Sequence, residues 1–301
     1  MSLAIDHWSY DPFLIVALAI LAWHAVGLRR LTRRSRHDRV GQLRRHAIWF
    51  YAGIAVLLVA VESPIDYWAD DYFFMHMIQH LLLLFAAPSL IVASAPWQPL
   101  LLGVPLRWRR RCLRAILHGG WARPLRAGGR ALVRPVVAVA AFNIVMIAWQ
   151  IPALFDLAER NTMIHIWLMH GSMFAVGVLF WLQIIPSPPL RTRITLAGQA
   201  GALMSTNIIM WILAMTMSLF SQSSWYSVYD HVAGVTLPAF ADQQIGAGVL
   251  WVCGDLWAIP ALFFVVRRLI AQEGDVDSAI QSILGPRPAG RPRWPSAWHW
   301  G

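Results

Sequence analysis

Seven stretches of this chain are apolar over about the 20 residues a helix needs to cross a bilayer, and that number of such runs points to a membrane protein. They lie near residues 13–28, 46–63, 73–94, 135–155, 162–185, 196–220 and 245–266. In hydrocarbon each segment must satisfy its own backbone, so the expected fold is all-α, an integral membrane bundle of seven transmembrane helices. Composition agrees, with 58% hydrophobic residues and 17 Trp among 301.

The connections sort by charge. Arg29, Arg30, Arg33, Arg34, Arg36, Arg39, Arg44 and Arg45 separate the first two runs, whereas residues 64–72 carry Asp66, Asp70 and Asp71 and no basic group. Residues 96–134 are again Arg-rich, 156–161 are net acidic, Arg191 and Arg193 mark the next connection, 221–244 carry Asp230 and Asp242, and Arg267 and Arg268 follow the last run. Only Arg160 breaks the alternation. By the positive-inside rule the amino terminus is expected outside and the carboxy terminus inside. The organisation that follows is an outer tail over 1–12, a membrane domain over 13–266 with an Arg-rich inner loop over 96–134, and an inner tail over 267–301. After Gly285 that tail is too rich in Pro and Arg to pack and is expected to be disordered.

The formal charge of +10 therefore reads as topology and contact with membrane lipid, and nucleic acid is not an expected partner. Leu106, Leu113, Ile116 and Leu117 recur at helical spacing among arginines, which predicts an amphipathic helix in the inner headgroup layer. There is no Lys, which excludes a Schiff-base mechanism, and Cys112 and Cys253 form no Cys-x-x-Cys pair. Residues 1–12 carry Asp6 and Asp11 and no basic group, unlike the start of a cleaved signal peptide.

The third run carries His76 and His80, four residues apart. On a helix that spacing puts both rings on one face, about 6 Å apart along the axis, where they can share a metal ion or line one polar pocket. Ionisable groups in hydrocarbon are costly and point to function. The inferred orientation places His165 and His170 of the fifth run at matching depths, about 5 and 12 Å in. Five residues of an α-helix turn through about 140°, so the two are not expected to point squarely at one centre: one is expected as a ligand, and the other as a group that supports it or serves structure. Met169 and Met173 continue the His165 face, and a thioether beside imidazole suits Cu(I), although methionine also fills cores. Glu62, Gln79, Asp230, His231 and Asp242 lie toward the same end, where oxygen groups can ligate or orient histidines. Asp242 also sits where an N-cap of the last helix belongs. Deeper, Asn207 and Asp255 match in depth and predict an interhelical hydrogen bond.

Several of these pieces together resemble the multispan CtaG family of bacterial cytochrome c oxidase assembly factors. They are His76-Met77-Ile78-Gln79-His80 with Ala87-Pro88 and Pro96, Trp149-Gln150-Ile151-Pro152, His165 and His170 leading to Phe180-Trp181, and Tyr229 with Ala241-Asp242-Gln243-Gln244 before Trp251. The resemblance spans about residues 62–266 and is to the multispan family, not to the single-span copper chaperone of the same name. It implies a non-enzymatic role in the bacterial plasma membrane, helping copper reach a haem–copper cytochrome c oxidase, with that enzyme's subunits and other copper chaperones as partners. His76, His80, His165, His170 and Met169 would then be metal ligands, and Glu62, Gln79 and Asp242 their supports. Two other classes stay open from sequence: a haem-binding electron carrier with one axial histidine from each of the third and fifth helices, and a transporter, for which Asp255 is the sole midplane charge. No His-Glu-x-x-His occurs, which disfavours an intramembrane protease.

Overall fold

The structure is a computed structural model and describes residues 7–9, 12–190, 192–230, 232 and 234–273. The expectations for Asp6, Asp11, Arg191, His231 and the Pro- and Arg-rich tail lie outside the described residues. Every named element is helical. In chain order they are α1 (Pro12–Thr32), α2 (His37–Glu62), α3 (Pro64–Ala69), α4 (Phe73–Ala93), α5 (Trp97–Gly103), α6 (Leu106–His118), α7 (Arg123–Leu132), α8 (Pro135–Ala148), α9 (Pro152–Glu159), α10 (Ile164–Ile184), α11 (Leu196–Leu219) and α12 (Ala239–Glu273).

Six helices, α1, α2, α4, α10, α11 and α12, are long and apolar enough to span a membrane. The fourth predicted run departs from expectation. It is helical only to Ala148, and α8 at 14 residues reaches about 21 Å, short of a hydrocarbon core of about 30 Å. Pro152 explains the break, because it disfavours helical geometry in the residue before it and donates no N–H; Ile151 is extended. The chain restarts as α9. Residues Gly120–Leu132 and α8 meet at 82°, and a seventh span exists only if that bent pair is counted as one.

The helix that carries His76 and His80 is the centre of the bundle. In its apolar window 78% of α4 is buried inside the protein, against 17–44% for the other five. A turn of π-helix, Leu82–Ala86, interrupts α4 just before Pro88, and the freed carbonyl of Leu84 accepts from the Trp181 indole at 3.2 Å. Exposed isoleucines, leucines and tryptophans cover the outward faces of α1, α10, α11 and α12, as a lipid-facing surface requires.

The Arg-rich ends gather at the far end of α4 from the histidines. Arg30 donates to the carbonyls of Leu102 and Gly103 at 2.8 and 3.1 Å, closing the C-terminus of α5, and Arg39 donates to Gln98. Close approach of α1 and α5 depends on Gly27, where any side chain would overlap the Pro99 carbonyl. α6 forms where the amphipathic pattern predicts it and buries none of its residues within the chain. α12 starts six residues before the predicted run and continues to Glu273, so Arg267 and Arg268 are helical and Asp242 lies inside the first turns.

Candidate metal centre

The site begins with how α4 is held. Tyr72 precedes the helix without a side-chain cap. Asp242 of α12 supplies the cap from across the bundle, accepting from the backbone N–H groups of Phe73 at 2.7 Å and Phe74 at 2.9 Å. Asp242 thus caps a helix other than its own and sets the position of His76 through the backbone. Gln79 faces away from the histidines and ties α4 to its neighbours, donating to the Ala60 carbonyl at 2.9 Å and to Asp66 at 2.6 Å.

His76 and His80 are both buried, with Nε2 atoms 2.8 Å apart and ring planes at 90°. His165 and His170 arrive from α10, and here local geometry overturns an expectation. Residues Ile164–His170 form a π-helical turn. Bonds between residues five apart bring positions i and i+5 into line, so both rings face inward instead of diverging as on an α-helix. The His165 and His170 centroids are 4.3 Å apart, His165 stacks on His76 at 5.2 Å, and His170 lies 6.3 Å from His76 and 6.5 Å from His80. His76, His165 and His170 each present one donor atom within 4.8 Å of the others, and His80 joins the group through His76.

Two further residues complete the wall: Glu159, which did not stand out in the sequence, and Tyr229, which the sequence marked only through the family resemblance. Glu159, the last residue of α9, places Oε1 at 3.5 Å from both His76 Nδ1 and His165 Nε2, with its side chain only 7% exposed. Tyr229 donates to the Ala69 carbonyl at 2.9 Å, and its hydroxyl lies 3.3 Å from His76 Nδ1. Phe155, one helical turn before Glu159, packs its ring 4.8 Å from His76. That four-residue spacing was the available signal for Glu159. It was masked because Phe155 belongs to an apolar run and Glu159 to the turn after it, whereas the Pro152 break puts both on one short helix.

The surroundings are electronegative. Burial first, then the carboxylates of Asp70, Asp66 and Asp156, hold the Glu159 carboxyl up near about 9. Burial and the nearby Glu159 likewise raise the Tyr229 hydroxyl. A cation at this point would be attracted by the same carboxylates that penalise a bare anion.

The donors suit a transition ion. His80 Nδ1, His165 Nε2, both ring nitrogens of His170 and Glu159 Oε1 are buried and make no hydrogen bond. Leaving such atoms unmet costs about 1–3 kcal/mol each, and one ion held by imidazoles and a carboxylate would satisfy several together. Two nitrogens each about 2 Å from one ion lie about 3–4 Å apart, so the rings need only close slightly.

The other residues singled out in the sequence take varied positions. Met169 is fully buried on the π turn beside His170, and Glu62 is buried at the end of α2. Asp230 is exposed, and its neighbour Tyr229 is the residue that reaches the histidines. Arg160, the exception to the charge pattern, donates to Ser227, whose N–H and hydroxyl are taken by Asp156, so the pair anchors the loop bearing Tyr229. The expected bond between Asn207 and Asp255 is present at 2.9 Å, and the Trp211 indole donates to the same carboxylate at 3.0 Å.

The chain is 27% identical over 279 residues to uncharacterized proteins of Mycobacterium bovis and Mycobacterium tuberculosis, covering 90% of this chain and 40% of each relative. It therefore spans about two fifths of the length of the curated relatives it matches. No solved structure matches it. The profile of the cytochrome c oxidase caa3 assembly factor family, Caa3_CtaG, matches residues 22–272, from α1 to the end of α12, and the chain belongs to that family.

Proposed function

We propose that this protein assists the assembly of a haem–copper cytochrome c oxidase by holding a copper ion between α4 and α10 and passing it on, without catalytic turnover. The observation that carries this reading is the convergence of four buried imidazoles, with both ring nitrogens of His170 unpartnered. His76, His165 and His170 are the ligands, His80 orients His76 or replaces it, and Met169 adds a soft donor that favours Cu(I). The partner is the oxidase subunit that receives the ion, and the setting is the bacterial plasma membrane with the site at its outer surface.

The transporter reading is weakened by Asp255, whose carboxylate is committed to Asn207 and Trp211. A bis-histidine haem needs a macrocycle between its axial rings, whereas His76 and His165 are stacked nearly parallel at 5.2 Å.

Metal analysis and an optical spectrum of the detergent-purified protein test the proposal. The wild type should carry about one copper per chain and no Soret band, and His165→Ala with His170→Ala should carry less than about a tenth of that at unchanged expression. Copper retained by the double variant, or a Soret band in the wild type, would overturn the assignment.

A further inference from the structure

We propose that Asp70, Glu159 and His165 form a second cation site, at the mouth of the buried histidine centre, through which the ion enters. This inference rests on the reading of the buried centre as a metal site and adds the route into it. The three residues each offer a donor atom within 4.8 Å of the others. They come from three segments: the end of α3, the end of α9 and the π turn of α10.

Exposure falls along the path. Asp70 is exposed, His165 is 8% exposed, His170 4% and His76 0%. Glu159 joins the two sets, because the same Oε1 is 3.5 Å from His165 in the outer site and from His76 in the inner one. That oxygen makes no hydrogen bond although its side chain is more than nine-tenths buried, and it points between the rings. His165 belongs to both sets, so the sites fill in turn and not together. The outer set has two carboxylates and one imidazole, a hard and weakly selective combination. The inner set has three imidazoles and holds a borderline or soft ion more firmly. An ion moving inward leaves Asp70 first and exchanges carboxylate oxygens for imidazole nitrogens, so the negative charge of its ligand set falls as it moves.

Zinc titration of the full-length chain carrying His76→Ala and His170→Ala isolates the outer site. One Zn²⁺ per chain is expected, weakened by at least about tenfold when Asp70→Asn is added. The second measurement avoids variants of the buried residues. Transfer of Cu(I) from its bicinchoninate complex to the otherwise wild-type protein should reach the same final stoichiometry in Asp70→Asn but start at least about fivefold slower, while Asp71→Asn keeps the wild-type rate. Zinc uptake indifferent to Asp70, or equal slowing by Asp70→Asn and Asp71→Asn, would overturn the outer site. A wild type that takes up no Cu(I), beside a double variant that still binds zinc through Asp70, would instead sink the inner-site reading and leave the outer site standing.

Discussion

Asp242 shows how much one side chain can do without touching a ligand. Its carboxylate closes the two first N–H groups of α4 from a helix 168 residues away in sequence, and those donors are otherwise left inside the bundle. Asp242→Ala should therefore destabilise the purified protein by about 1–2 kcal/mol, as loss of an N-cap does. Thermal unfolding in detergent would show this as a lower midpoint, and Asp242→Asn, which keeps one acceptor oxygen, should recover part of the loss. An unchanged midpoint for the alanine variant would mean that water already serves those amides.

The elements explain why two histidines five apart can act together. The π turn gives α10 the side-chain alignment that α4 achieves with a four-residue spacing, and such turns concentrate at functional sites. Deleting Leu168, which is exposed on the turn, should relax it to an α-helix with the two histidines four apart and preserve copper binding. Inserting an alanine between Leu168 and Met169 should place them six apart, about 120° from each other round the helix, and abolish it. Copper per chain reads both results, and retention by the insertion variant would show that the π turn is incidental. A periodicity count assumes one helical pitch throughout, which is why it assigned only one of the pair to the site.

At the scale of the molecule, the bundle separates two chemistries by the length of α4, about 31 Å for its 21 residues. Histidines and carboxylates collect at one end, and Arg30, Arg39 and the Arg-rich α6 and α7 at the other. The positive-inside rule then predicts that alkaline phosphatase fused at residue 223 is active, and that the same enzyme fused after Glu273 is inactive. The reverse pattern would put the histidine centre on the cytoplasmic side.

Local order alone determined the apolar runs, the alternation of charge between them and the His76–His80 pair. Each depends only on neighbouring residues and on a helical repeat that hydrocarbon enforces. Tertiary structure decided that Glu159, on the short helix after the Pro152 break, would swing onto the rings, that Tyr229 would close over His76, and that Asp242 would cap α4 rather than α12. Those outcomes join segments tens to more than a hundred residues apart. They are set by which buried polar atoms find partners once the helices pack, a balance that no single stretch of chain carries.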